Sequence, residues 1–94
     1  MRIDNNLVVF VTGAASGLGE AAVIRLHEMG AKVAAADLNV EPLQALQSKL
    51  QERILCIQCD VSKEDQVKDA IDKTVKTFGT IHVALTSAGI VSVM

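Results

Sequence analysis

The sequence predicts an α/β protein whose core is a doubly wound parallel sheet, incomplete at about four strands and three helices. Three observations carry this. Short apolar runs alternate with longer stretches of helical periodicity. The first run breaks into a turn with three glycines, Thr12-Gly13-Ala14-Ala15-Ser16-Gly17-Leu18-Gly19, before helical spacing resumes. The second run ends in a carboxylate, Asp37, about twenty residues beyond that turn.

Leu7 to Val11 is continuously apolar, as expected of a strand buried on both faces. In the turn that follows, Gly13 supplies the tight bend, Gly17 lets backbone approach a phosphate, and Gly19 lets a helix pack without an intervening Cβ. Leu18, Ala21, Ala22, Leu26 and Met29 then recur at helical intervals, and Gly30 provides a left-handed stop. A strand over Lys32 to Ala36 leads to Asp37. Pro42 falls in the first turn of a second helix with a Leu43, Leu46, Leu50 stripe. Ile54 to Gln58 reads as a third strand, running through Cys59 into Asp60 and Val61. Ser62 is placed to N-cap a third helix whose apolar face is Val67, Ala70, Ile71, Val75 and Phe78, with Gly79 ending it. Ile81 to Thr86 is a fourth strand opened by His82, which, like His27 in the first helix, reads as a surface or edge histidine. Right-handed crossovers give the spatial order third, second, first, fourth. The far edge of the fourth strand is then expected to be unpaired and prone to association.

Composition narrows the function. Across 94 residues, 9 basic and 11 acidic side chains leave a net charge of −2, and there are two Phe with no Tyr or Trp. Neither a basic surface nor a stacking platform for nucleic acid is therefore expected. No apolar run approaches the ~20 residues of a membrane span, and Met1 to Phe10 shows no secretory or Arg-rich targeting pattern. Cys56 and Cys59 are three apart, which in a strand puts them on opposite faces. They read as buried free thiols of a reducing compartment, cytoplasm or mitochondrial matrix, with no metal role.

The pattern Thr12, Gly13, Gly17, Gly19 resembles the T-G-x-x-x-G-x-G signature of the short-chain dehydrogenases/reductases, and VTGAASGLG with SAGIV is similar in wording to their type 2 3-hydroxyacyl-CoA dehydrogenase branch. A P-loop is a poor alternative, because Glu20 follows Gly19 where that motif needs Lys. The resemblance implies residues 1–94 to be the N-terminal part of one Rossmann-type NAD(P)-binding domain. Its expected cofactor-binding residues are Gly13, Ser16, Gly17, Leu18, Gly19, Asp37, Asp60, Val61, Ser87, Ala88 and Gly89. Asp37 would accept the ribose hydroxyls, Asp60 and Val61 would hold the adenine, and Ala88 and Gly89 would pass beneath a cofactor ribose. NAD is favoured over NADP, because Asp37 would repel a 2′-phosphate and neither Ser16 nor Leu38 supplies the basic residue of NADP-preferring relatives. Where the family usually has N-N-A-G or N-C-A-G, Thr86 and Ser87 replace the first two residues. Plainer readings stand beside these: a ligand-free glycine turn, Asp37 as a helix-capping carboxylate, and Asp60 as a solvated turn residue.

The family's catalytic Tyr, Lys, Ser and Asn have no counterparts here, and the chain contains no tyrosine, so no catalytic residue is assigned. The leading expectation is the NAD-binding portion of an oxidoreductase that interconverts a secondary alcohol, a 3-hydroxyacyl-CoA or hydroxysteroid among the candidates, and a ketone. It is expected to act as a homo-oligomer. The alternatives are a structural or assembly subunit and a nucleotide-sensing module.

Overall fold

The structure, a computed structural model, describes residues 4–15 and 17–86 and the backbone of 89–93. Strands β1 (Val8–Thr12), β2 (Lys32–Asp37), β3 (Ile54–Gln58) and β4 (Val83–Thr86) alternate with helices α1 (Gly17–Glu28), α2 (Val40–Leu50) and α3 (Glu64–Phe78), and β5 (Gly89–Val93) follows. The sheet order is β3-β2-β1-β4-β5. The first four strands are parallel, with Val9 facing Val33 on one side and Val83 on the other. This is the expected doubly wound arrangement.

Strand alternation divides the core in two. Val9, Val11, Val33, Ala35 and Ile54 face one way and pack with Val23 of α1 and Leu43 and Leu46 of α2. Phe10, Ala34, Ala36 and Ile57 face the other way and meet Ala70, Val67 and Phe78 of α3. A parallel sheet covered on both faces needs such unbroken apolar strands. Cys56 packs against the first of these cores and Cys59 belongs to the second, so the two thiols are on opposite faces, as their spacing requires. Both are free, and burial pushes each thiol above its ordinary pKa.

Several expectations are corrected. β4 does not end the sheet: β5 folds back antiparallel along it, pairing Thr86 with Gly89 and Val83 with Val93, with an irregularity between Ala84 and Leu85. In α1 the buried residues are Gly19, Val23 and His27, whereas Leu18 is 76% and Met29 43% exposed. The helix is rotated from its apolar spacing because Gly19 lies directly against the Gly13 carbonyl. His27 is no surface residue; its Nε2 meets the Glu52 carbonyl at 2.6 Å as the α2–β3 loop closes over it. In α3 the buried line runs through Ala70 and Thr74, leaving Ile71 and Val75 partly exposed. The Thr74 hydroxyl donates to the Ala70 carbonyl at 2.8 Å, which satisfies its polar atom and permits full burial. Ser62 does not cap α3: its hydroxyl donates to Asp60 Oδ1 at 2.6 Å, and Lys63 takes the N-cap position without a side-chain bond. β4 begins one residue after His82, whose Nδ1 accepts the Val8 N–H at 2.9 Å while its own N–H donates to the Val8 carbonyl.

The loop between α2 and β3 contains two non-glycine residues of positive φ, Gln51 at 63° and Arg53 at 58°. Gln51, with ψ −58°, sits between the Leu50 carbonyl and the Glu52 N–H that closes on it at 2.7 Å. That is a γ-turn of the rare, strained hand. Arg53 is held by its guanidinium, which donates to the carbonyls of His27 and Ala31, each at 3.1 Å.

Candidate nucleotide site

The carboxyl ends of the parallel strands carry the candidate residues, and β1 with β4 borders the point where the strand order reverses, the usual ligand crevice of such sheets. The turn after β1 is formed by glycines in conformations that L side chains rarely adopt, Gly13 at φ 69° and Gly17 at φ 56°. A Cβ on Gly19 would stand 1.9 Å from the Gly13 carbonyl oxygen, so only glycine lets α1 start this close to the turn. A Cβ on Gly17 would meet nothing within 4 Å. The turn is thus tight on its protein side and open on the other, above the amino end of a helix whose first N–H groups have no carbonyl partner within the helix.

Asp37, the last residue of β2, reaches back to this turn. Its Oδ2 accepts the Ala15 N–H at 3.0 Å and its Oδ1 accepts the Asn39 N–H at 2.9 Å. Backbone bonds align the neighbouring strand ends: the Ala14 N–H donates to the Ala36 carbonyl at 3.2 Å and the Cys59 N–H to the Asp37 carbonyl at 2.9 Å. Beyond β3, the Asp60 N–H donates to Gln66 Oε1 at 2.9 Å, and Asp60 Oδ1 accepts the Ser62 hydroxyl and, at 3.0 Å, the Ser62 N–H. The two bonds from Ser62, the hydroxyl first, hold the Asp60 carboxyl below its ordinary pKa.

Gly13, Asp37, Asp60 and Val61 line one cleft of about 180 Å³ together with Leu38 and Cys59. Leu38 and Val61 are both more than half exposed, two apolar side chains beside two carboxylates. Sequence reasoning did not include Leu38, Cys59 or the Ala15 amide among the site residues. The neighbours Asp37 and Asp60 signal the first two, whereas nothing in a sequence signals a particular backbone amide. Leu18 lies exposed at the start of α1, and Gly89 opens β5 opposite Thr86 at the same end of the sheet. Ser16, Ser87 and Ala88 lie outside the described residues. A larger groove, about 490 Å³ along α3, shares only Val61 with this cleft and is lined by Ser62, Glu64, Val67, Lys68 and Ile71. Among the described residues, no group of three or more His, Cys, Asp or Glu is placed to hold a metal, and no helix is long and apolar enough to cross a membrane.

This geometry agrees with what comparison with known proteins finds. The family model described as short chain dehydrogenase matches residues 7–94. The chain belongs to the short chain dehydrogenase family. Within that family, tropinone reductase-like 2 of Erythroxylum coca is 43% identical over 84 residues, covering 89% of this chain and 30% of that protein. Among solved structures, a short chain dehydrogenase/reductase of Burkholderia phymatum in complex with NAD superposes with a TM-score of 0.86 at 27% identity, over 90% of this chain and 31% of that one. The 3-ketoacyl-(acyl-carrier-protein) reductase of Brucella melitensis, complexed with NADH, gives 0.81 at 29% identity, over 84% and 32% respectively. The chain therefore spans about a third of the length of the family members it matches.

Proposed function

We propose that this chain is the N-terminal, NAD-binding part of a single Rossmann-type domain in an oxidoreductase that interconverts a secondary alcohol and a ketone. The observation that carries this is the pairing of the open glycine turn with the Asp37 carboxylate across one cleft. The turn and the first amides of α1 receive the pyrophosphate, Asp37 accepts the ribose hydroxyls, and Leu38 and Val61 flank the adenine beside Asp60. Ser16, Leu18, Ser87, Ala88 and Gly89 complete the set of residues assigned to the cofactor. Bound NAD would supply hydride acceptance at its nicotinamide ring, while the residues described here bind and orient it. NAD is preferred because Asp37 would oppose a 2′-phosphate, and the cleft contains no cation among its described lining residues.

The names of two relatives support the coarser substrate class, one being called tropinone reductase-like 2 and the other a 3-ketoacyl-(acyl-carrier-protein) reductase. A 3-hydroxyacyl-CoA substrate rests only on the VTGAASGLG and SAGIV wording. The same reading includes a homo-oligomer, and a reducing compartment, cytoplasm or mitochondrial matrix, the latter supported by the two free cysteines.

The test is calorimetric titration of the full chain with NADH, wild type against Gly13→Val. A branched side chain at φ 69°, in the turn that faces the pyrophosphate, is expected to weaken binding at least tenfold. Circular dichroism checks that the sheet still forms. Equal affinity in a folded variant would overturn the assignment.

A further inference from the structure

We propose that Asp37 is also a positioning residue, holding the glycine turn in its anion-receiving shape by accepting the Ala15 N–H, so that ribose recognition and the pyrophosphate cradle depend on one carboxylate. This rests on the nucleotide reading above and deepens it.

Two consecutive amides of the turn are fastened to two consecutive positions at the end of β2. The Ala14 N–H goes to the Ala36 carbonyl, and the Ala15 N–H goes to Asp37 Oδ2 at 3.0 Å. Ala14 and Ala15 are both buried. An Ala15 N–H deprived of its acceptor would lose a charge-assisted bond with little water at hand to replace it. The carboxylate is fixed from its other side as well, because Oδ1 accepts the Asn39 N–H at 2.9 Å. It therefore has one orientation, and that orientation spans from the head of the β2–α2 connection to the glycine turn. Each carboxylate oxygen has acceptor capacity for more than one donor, so ribose hydroxyls can add to these bonds without displacing them. The carboxylate thus does two things at once. It selects the ribose, and it keeps Ala15 turned inward so that the turn presents its open side above the amino end of α1. Replacing Asp37 to admit a 2′-phosphate would remove the latch together with the repulsion.

The latch is read most directly by amide hydrogen exchange in the nucleotide-free full chain. In Asp37→Ala, exchange at Ala15 is expected to quicken about tenfold or more, while Val9 and Val33 in the sheet interior keep their protection. Asp37→Asn, whose amide oxygen still accepts a hydrogen bond, is expected to restore most of the Ala15 protection. The second readout is binding of inorganic pyrophosphate, which has no ribose, alongside NADH. Asp37→Ala is expected to weaken both. Unchanged exchange at Ala15 overturns the proposal, and so does a variant that loses NADH yet binds pyrophosphate as the wild type does, which would confine Asp37 to the ribose. A wild-type chain that binds neither ligand fails the nucleotide reading instead, and the latch is then decided by Ala15 exchange alone.

Discussion

Asp60 Oδ1 receives both donors of Ser62, the hydroxyl at 2.6 Å and the N–H at 3.0 Å, and that pair holds its carboxyl pKa down. A carboxyl whose folded pKa is depressed stabilises the fold above its ordinary pKa, and the contribution is lost as pH falls through the folded value. The Asp60–Ser62 turn is therefore expected to loosen only in acid. Ser62→Ala removes the largest cause, so the Asp60 titration midpoint should move up toward the ordinary carboxylate value, measured by carbon NMR of the side-chain carboxyl. An unmoved midpoint would mean that the hydroxyl bond contributes nothing. Ser62 lies one residue ahead of the N-cap position, which Lys63 occupies, and the bond turns its side chain toward Asp60. At Gly19 the constraint is steric, with any side chain meeting the Gly13 carbonyl. Its role follows from the protein alone, without reference to a ligand.

At the scale of elements, the α2–β3 connection combines strain with anchorage. Gln51 holds a γ-turn at φ 63°, ψ −58°, a conformation that glycine adopts without a Cβ penalty. Gln51→Gly is expected to stabilise the fold by up to about 1 kcal/mol, the relieved strain being partly offset by the entropy of a freer unfolded chain. Arg53→Gly relieves a similar φ but removes the guanidinium bonds to the His27 and Ala31 carbonyls, and should destabilise by about 1–3 kcal/mol. Thermal unfolding of the two variants checks the opposite signs. The limits of sequence reading lie at this scale too. β3 was legible to the residue and β2 to within one, because both are apolar runs bounded by turns. The rotation of α1 was not, since it is set by the Gly19 contact with a carbonyl and not by where Leu18 and Met29 fall. For α3, apolar spacing favours Ile71 and Val75, but a threonine that bonds its own helix can be buried in their place. In the site, Asp37 and the glycines were legible as residue types, whereas the Ala15 amide that joins them appears only once β1 and β2 are side by side. The backward pairing of β5 has no marker in Gly89 to Val93, which reads equally as loop.

For the molecule as a whole, the sheet is a partition. Helices α1 and α2 lie against one side and α3 against the other, with alanines 34 to 36 of β2, all fully buried, in between. The small side chains of that strand let both helical layers approach closely. On β4, the antiparallel β5 takes the edge that four parallel strands alone would expose. The partition also separates the two thiols, and this makes them clocks for different layers. Cys56 is shielded by the side that α1 and α2 cover, Cys59 by the side that α3 covers. Alkylation by a small maleimide, followed residue by residue in mass spectra at rising urea concentration, would time the loss of each layer separately. If the protein comes apart as one cooperative unit, the two cysteines should be labelled at rates with the same urea dependence. A Cys59 rate that climbs first would show α3 lifting from the sheet while α1 and α2, on the opposite layer, are still in place.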